Sequence, residues 1–145
     1  MDWGERRVGL AVSDPTGLIA TGLPTLEVRG ETDAVRRVAG VARDVEAESI
    51  VVGLPLLLSG ERGSAAHAAE RLADGLRQAC GLPVETFDER LTSALAARRL
   101  RETGGAGRAK GRVDQGAAVA LLESWLQRLA AQRAGSGPGA PREAE

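Results

Sequence analysis

This chain has few of the residues that form disulfide bonds or zinc sites, and it lacks the long apolar runs that cross membranes. Cys80 is the one cysteine and His67 the one histidine among 145 residues, which excludes an internal disulfide and disfavours a zinc site or a Cys–His pair. No apolar run approaches the ~20 residues that a membrane-spanning helix needs. The polar start from Asp2 has no signal-peptide pattern. These absences predict a cytoplasmic protein that has no membrane partner.

No excess of either charge is present, because 19 basic residues face 20 acidic ones and the net charge is −1. The whole molecule therefore does not attract nucleic acid, and a basic surface must be local. One segment of 15 residues is rich in arginine and is opposed only by Glu102; its basic members are Arg98, Arg99, Arg101, Arg108, Lys110 and Arg112. The segment is either a phosphate-contacting surface or a solvated helix face followed by a loop.

Hydrophobic periodicity predicts five strands. Asp2 ends the first strand, residues 7–14 alternate with the period of a second, and residues 18–28 form a third, with Pro24 typical of an edge or a bulge. Residues 50–54 are wholly apolar, as in a strand buried on both faces, and residues 83–87 form the last strand.

The intervening segments have helical periodicity. Helices are expected over residues 31–47, from Ser64 as N-cap to Cys80 with Gly81 at its end, from Thr92 or Ser93 to about Gly104, and over residues 112–133. Residues 104–111 are expected to be a loop, and residues 134–145 a disordered tail behind one domain of residues 1–133. The predicted class is α/β: a five-stranded mixed sheet, an antiparallel meander plus parallel strands, flanked by helices.

Acidic residues occur near the carboxyl ends of the predicted strands, which is where functional groups gather in a parallel α/β fold. Asp2 ends the first strand, Asp88 and Glu89 follow the fifth, and Asp114 lies in the predicted first turn of the last helix. Asp114 shares a helical stripe with Ala118, Leu121, Leu122 and Trp125, so it should face the sheet. Carboxylates alone suit Mg²⁺ or Mn²⁺, as one ion or as two that act together on a phosphodiester.

Each acidic residue also has an ordinary explanation. Asp114 could complement the helix dipole, and Asp88, Glu89 and Arg90 could form a surface turn with a local ion pair. Arg6 could contact a phosphate or lie in a solvated turn. The hypothesis of a metal site therefore depends on all the acidic positions occurring together.

Four segments in order resemble motifs of the YqgF (RuvX) family: DWGERRVGLAVSDPTGLIATGLPTL, IVVGLP, FDERLTS and GRVDQGAAVALLESWL. The resemblance covers about residues 2–130. It implies a ribonuclease H-like fold related to Holliday junction resolvases, and a nuclease that processes the 5′ end of the 16S rRNA precursor. It also implies an acidic site of Asp2, Asp88, Glu89 and Asp114, with Glu89 favoured over Asp88 as the direct ligand.

Two features depart from the family's pattern. Members carry several apolar residues before the Asp-aromatic-Gly motif, whereas here the motif begins at position 2. We therefore expect that the natural start lies upstream and that adding those residues raises the melting temperature; an unchanged melting temperature would contradict this. After Pro55 the chain has Leu56-Leu57-Leu58-Ser59 in place of a polar, Asn-containing loop.

Three alternatives to an RNA nuclease follow from the same residues. A nuclease for branched DNA shares the metal chemistry and the phosphate contacts, which Arg6, Arg90, Arg108, Lys110 and Arg112 are expected to supply. An ATPase of the actin or sugar-kinase type needs far more chain than 145 residues. A silent binding module has no reason to keep buried carboxylates. The partner is accordingly structured RNA or branched DNA, and the oligomeric state, monomer or homodimer, stays open.

Overall fold

The computed structural model describes residues 1–4, 6–55, 59–88 and 115–135 in full, together with the helical backbone of residues 108–114.

The N-terminal part of the chain is an antiparallel meander of three strands. Asp2 pairs with Gly9 between the first two strands, and Val12 pairs with Thr21 between the second and third. The register shifts between Val8 and Leu10, opposite the segment that contains Pro24, and the third strand lies at the end of this meander. The prediction of an edge or bulged position for Pro24 is therefore confirmed. The strands are β1 (Asp2–Trp3), β2 (Arg7–Ser13) and β3 (Ala20–Glu27).

Two parallel strands complete the sheet, β4 (Ile50–Leu54) and β5 (Val84–Asp88). Met1 joins them to the meander: its amino group donates to the carbonyl of Val51, and its carbonyl accepts from the amide of Gly53 at 2.9 Å. The spatial order is therefore β3-β2-β1-β4-β5. The predicted mixed sheet of five strands is confirmed.

Helices cover both faces of this sheet. Helices α1 (Glu31–Asp44) and α2 (Ser64–Cys80) pack on one face, and α3 (Arg108–Gly135) packs on the other. Gly81 closes α2 in the left-handed conformation with φ 68°, as predicted. The prediction that Ser64 is the N-cap of α2 was wrong, because Gly63 holds that position and Ser64 begins the helix.

Helix α3 begins at Arg108 and not at residue 112, so the predicted loop over residues 104–111 is wrong for its last four positions. Gly111 lies inside the helix, where a glycine costs roughly 1 kcal/mol relative to alanine. The helix also runs two residues past its predicted end, to Gly135. The helix predicted from Thr92 or Ser93 to Gly104 falls outside the described residues, as do residues 136–145.

Most of the core lies between the sheet and the pair α1 and α2. Val8 and Val52 from the sheet and Leu72 and Leu76 from α2 are fully buried there. A smaller cluster of Val51, Phe87 and Leu121 lies under α3. Across the described ranges, no helix combines the length and apolarity that crossing a membrane requires.

Candidate active site

Asp2 is the charged residue that the fold buries most completely in the described part of the chain, with 1% of its surface exposed. Its neighbours Met1 and Trp3 both point into the core under α1 and α2. Because side chains alternate along a strand, Asp2 points to the opposite face, which α3 covers. A carboxylate buried to this extent needs compensating partners, either hydrogen-bond donors or a cation.

Strands β4 and β5 determine what lies beside Asp2. The pairing of Met1 with β4 places Asp2 level with Gly53, and Gly53 is paired with Phe87. Phe87 packs with Leu121 under α3, so this row of the sheet faces the same side as Asp2. Gly53 contributes no side chain there, which leaves room next to the carboxylate.

Asp88 lies one row further along the sheet, where it is paired with Leu54. Leu54 and Trp3 belong to the core under α1 and α2, so Asp88 projects to the face opposite Asp2. The side chain of Asp88 is half-buried. Asp2 and Asp88 are therefore near the same edge of the sheet but on different faces.

Helix α3 is held closely against the face that contains Asp2. Gly22 allows this approach, because a Cβ atom there would lie 3.3 Å from the Cβ of Gln115. Ala117 and Ala118 are buried in the same contact. Small residues at both sides of the interface therefore bring the helix backbone near the sheet.

Two contacts attach the later turns of α3 to β5. The indole Nε1 of Trp125 donates to Glu85 Oε2 at 3.0 Å, and the guanidinium of Arg128 lies 5.7 Å from the centre of the Phe87 ring. These contacts fix the rotation of the helix about its own axis. The stripe of α3 that faces the sheet is thus established by residues well beyond the predicted acidic site.

Asp114 lies in the second turn of α3, six residues after the helix begins at Arg108. No acidic residue occurs in the first turn, so the explanation of Asp114 as a complement to the helix dipole is wrong. The position precedes Ala117 by three residues and Ala118 by four, and both alanines are buried against the sheet.

Several predicted site residues fall outside the described parts. Glu89 and Arg90 are not described, and of Arg108, Lys110 and Arg112 only the helical backbone is described. Arg6 is exposed in the turn after β1, at the same sheet edge as Asp88. Among the described residues alone, no three acidic, histidine or cysteine side chains come close enough to hold a metal ion. His67 is exposed and Cys80 is half-buried.

The predictions from sequence missed Asp14, which organises the turn between β2 and β3. Its carboxylate accepts from the backbone amides of Leu18 at 2.8 Å and Ile19 at 2.9 Å, and from the hydroxyl of Thr16. These bonds, the one from Thr16 first, lower the pKa of Asp14 from 3.8 to about 2. The Asp-Pro-Thr-Gly sequence is the turn signal that could have revealed this role.

This lowered pKa predicts a defined dependence of stability on pH. A carboxylate whose pKa is lower in the folded state stabilises the fold above its unfolded pKa, and the contribution disappears as pH falls through the folded pKa. The melting temperature of wild type should exceed that of Asp14→Ala at pH 5–7, and the difference should shrink from about pH 4 to about pH 2. Thermal denaturation of both proteins at each pH tests this, and a difference that stays constant to pH 2 would contradict it.

Comparisons with known proteins agree with this arrangement. Residues 1–128 match the RuvX family, described as Holliday junction resolvase. A relative from Mycobacterium sp. (strain KMS) is 44% identical over 96% of this chain and 84% of its own, and one from Anaeromyxobacter dehalogenans (strain 2CP-C) is 44% identical over 90% and 96%. Both are named as proposed pre-16S rRNA nucleases.

A solved structure with low sequence identity to this chain has the same fold. RuvC of Thermus thermophilus in complex with a Holliday junction substrate superposes with a TM-score of 0.53 at 19% identity, and the match covers 88% of this chain and 92% of RuvC. The predicted ribonuclease H-like fold is thereby confirmed. The family match covers the buried Asp2, the parallel pair β4 and β5 and most of α3, so the chain belongs to the RuvX family and is a nuclease that hydrolyses phosphodiester bonds.

Proposed function

We propose that this protein is a cytoplasmic, metal-dependent ribonuclease that processes the 5′ end of the 16S rRNA precursor. The observation that carries the proposal is the burial of Asp2 on the sheet face that α3 covers. Burial of a carboxylate costs free energy unless partners compensate it, and a metal ion is one such partner. The names of the relatives from Mycobacterium and Anaeromyxobacter supply the substrate.

The proposed acidic site consists of Asp2, Glu89 and Asp114. Helical spacing assigns Asp114 to the stripe of Ala117 and Ala118, and that stripe packs on the face to which Asp2 points. Oxygen ligands of this kind fit Mg²⁺ or Mn²⁺, as one ion or two. Such an ion, when bound, supplies Lewis-acid stabilisation of the phosphodiester under attack.

We favour Glu89 over Asp88 as the second carboxylate because of strand alternation. Phe87 faces the same side as Asp2, and Asp88 faces the other side. The residue after Asp88 in an extended chain returns to the side of Phe87. The role left for Asp88 is to support the end of β5 from the opposite face.

Basic side chains are proposed to position the phosphates of the substrate. Arg6 is exposed at the sheet edge where β1, β4 and β5 end, which is the edge nearest to the acidic site. Arg90 follows Glu89 in sequence, and Arg108, Lys110 and Arg112 precede Asp114 by two to six positions. Cationic side chains on both sides of the carboxylates would hold a phosphate backbone across them.

A second candidate substrate is branched DNA. The description of the family as Holliday junction resolvase favours it, and the proposed acidic site is compatible with either polymer. Phosphate contacts do not distinguish RNA from DNA, since they carry no base or sugar information.

The substrate assignment is tested by cleavage of a precursor 16S 5′-leader RNA and of a four-way DNA junction, each with Mn²⁺ or with EDTA. We expect metal-dependent cleavage of the RNA by wild type and none by Asp114→Asn. Asp44→Asn is the matched control, because Asp44 is an exposed aspartate in the last turn of α1 and should leave the rate unchanged. Cleavage of the junction alone would select the DNA alternative, and wild-type cleavage by Asp114→Asn would refute the site.

A further inference from the structure

Glycines flank Asp2 on both neighbouring strands. Gly9 of β2 is its partner in the antiparallel pair, and Gly53 of β4 lies level with it on the other side. Neither glycine has a side chain that could occupy the space beside the carboxylate. The nearest side chains on the same face of β2 therefore belong to the residues two positions away from Gly9, which are Arg7 and Ala11.

Arg7 projects to the same face of the sheet as Asp2. Val8 and Leu10 of β2 belong to the core under α1 and α2. Because side chains alternate along a strand, Arg7 and Gly9 lie on the opposite face, which α3 covers. Arg7 is half-buried there. A cationic residue therefore lies on the face of the proposed acidic site, on the strand next to Asp2.

The hairpin of β1 and β2 sets the distance between these two residues. The amide of Gly4 donates to the carbonyl of Arg7 at 2.9 Å, which places Gly4 and Arg7 level with each other. Gly4 follows Asp2 by two residues, so Arg7 lies about 7 Å further along the strands, toward the edge at which β1 ends. The long stem of an arginine side chain can carry its guanidinium group over that interval.

The neighbouring Arg6 points to the other face. The amide of Val28 donates to the carbonyl of Arg6 at 2.9 Å, so these two residues lie opposite each other. Val28 is buried in the core under α1 and α2, and residues directly opposite each other in an antiparallel pair project to the same face. Of these two arginines, only Arg7 therefore shares a face with Asp2.

A tight turn holds Arg7 in this position. A Cβ atom at Gly4 would lie 3.0 Å from the carbonyl oxygen of Arg7, so the close approach of the two strands requires glycine there. On its other side Arg7 is paired with Glu27 of β3. A residue that stands on a strand between two paired neighbours is held more precisely than one on a loop.

Glu27 offers an ordinary explanation of Arg7. It lies opposite Arg7 on the same face, and opposite charges at such positions attract each other. Glu27 is exposed, and ion pairs in contact with water contribute little to stability. An ion pair would depend on both residues equally, whereas a contact with a phosphate would depend on Arg7 alone.

We propose that Arg7 binds the phosphate under attack, from the strand beside Asp2. This inference rests on the proposed acidic site, and it assigns a residue to the reacting phosphate itself, whereas Arg6 is proposed to hold the flanking backbone. The guanidinium group presents paired N–H donors that match two oxygens of a phosphate. The fixed positive charge of Arg7 would stabilise the charge that develops on those oxygens as water attacks.

The test measures cleavage of the precursor 16S 5′-leader RNA with Mn²⁺ by wild type, Arg7→Gln, Arg7→Lys and Glu27→Gln. We expect kcat to fall about a hundredfold in Arg7→Gln, which is the scale of loss when one donor to a reacting group is removed. Arg7→Lys should recover part of the rate, because lysine keeps the charge but lacks the paired donors. The Mn²⁺ concentration at half-maximal rate should stay unchanged, since Arg7 is not a metal ligand.

Arg43→Gln is the matched control, because Arg43 is an exposed arginine in the last turn of α1, which leads to the start of β4 and not to its end. Arg43→Gln and Glu27→Gln should both keep the wild-type kcat. A wild-type kcat in Arg7→Gln would overturn the proposal. So would an equal loss in Arg7→Gln and Glu27→Gln, since the ion pair would then carry the effect. Arg7→Lys keeps the charge that faces Glu27, so its reduced kcat should be measurable on a folded protein even where Arg7→Gln is unstable.

Failure of the nuclease proposal has a separate readout. If wild type cleaves neither the RNA nor a four-way DNA junction with Mn²⁺, binding of both polymers is measured from about 50 to about 200 mM salt. Loss of one phosphate contact in Arg7→Gln should reduce the slope of log affinity against log salt concentration by about 1. Arg43→Gln should keep the wild-type slope. An unchanged slope in Arg7→Gln would overturn the assignment of Arg7.

Discussion

Asp2→Asn is expected to abolish metal-dependent cleavage while the protein stays folded. Asp2 is 1% exposed and points to the face under α3, which is the face where we propose that a cation binds. The amide of asparagine keeps the volume but loses the charge that holds a hard cation. Residues that merely orient metal ligands cost 10- to 100-fold when mutated, so we expect a loss of about a hundredfold or more for a direct ligand.

Two measurements separate this loss from unfolding. Initial rates of RNA cleavage with Mn²⁺ give the activity, and thermal denaturation in EDTA gives the stability of the metal-free fold. The melting temperature of Asp2→Asn in EDTA should stay close to that of wild type, because asparagine keeps the volume of this buried side chain. Asp44→Asn serves again as the control. Full activity in Asp2→Asn would exclude Asp2 from the site.

The second large effect is a contrast between two neighbouring carboxylates. Glu89→Gln should reduce cleavage as severely as Asp2→Asn, whereas Asp88→Asn should retain most of the activity. The reason is the register of β5, in which Phe87 faces α3 and Asp88 faces the core under α1 and α2. Both substitutions convert a carboxylate to an amide of the same size, so each one controls for the other.

The contrast is measured as the initial cleavage rate over a series of Mn²⁺ concentrations. A ligand variant should need more metal to reach half of its maximal rate, and a residue that only supports the strand end should not alter that concentration. The reverse order of effects would overturn the choice of Glu89 as the metal ligand. Equal and complete losses would mean that both carboxylates act on the metal.

Local sequence patterns were sufficient for most elements of the fold. The alternation over residues 7–14 predicted β2, the apolar run at residues 50–54 predicted a strand buried on both faces, and Gly81 predicted the end of α2. These features are local, because strand alternation, complete burial and a left-handed helix end each require particular residues within a few positions.

Local sequence patterns did not predict the residue at which α3 begins. Glycines between Gly104 and Gly111 indicated a loop, yet the helix includes Gly111 and begins at Arg108. Tertiary packing can override intrinsic propensity, and α3 is packed on the sheet by the contacts of Ala117, Ala118 and Leu121. The position of Asp114 in the second turn of the helix, which argues against a dipole effect, depended on that packing.

The sequence by itself determined the family, the acidic residue types and the order of the elements, because the motifs and periodicities that specify them are local. Only the tertiary structure decided that Asp2 and Phe87 share a face and that Asp88 lies on the other one. Alternation along a strand predicts which of its side chains lie on the same face of the sheet. Which strands lie side by side, and in which register, is set by contacts between residues distant in the chain.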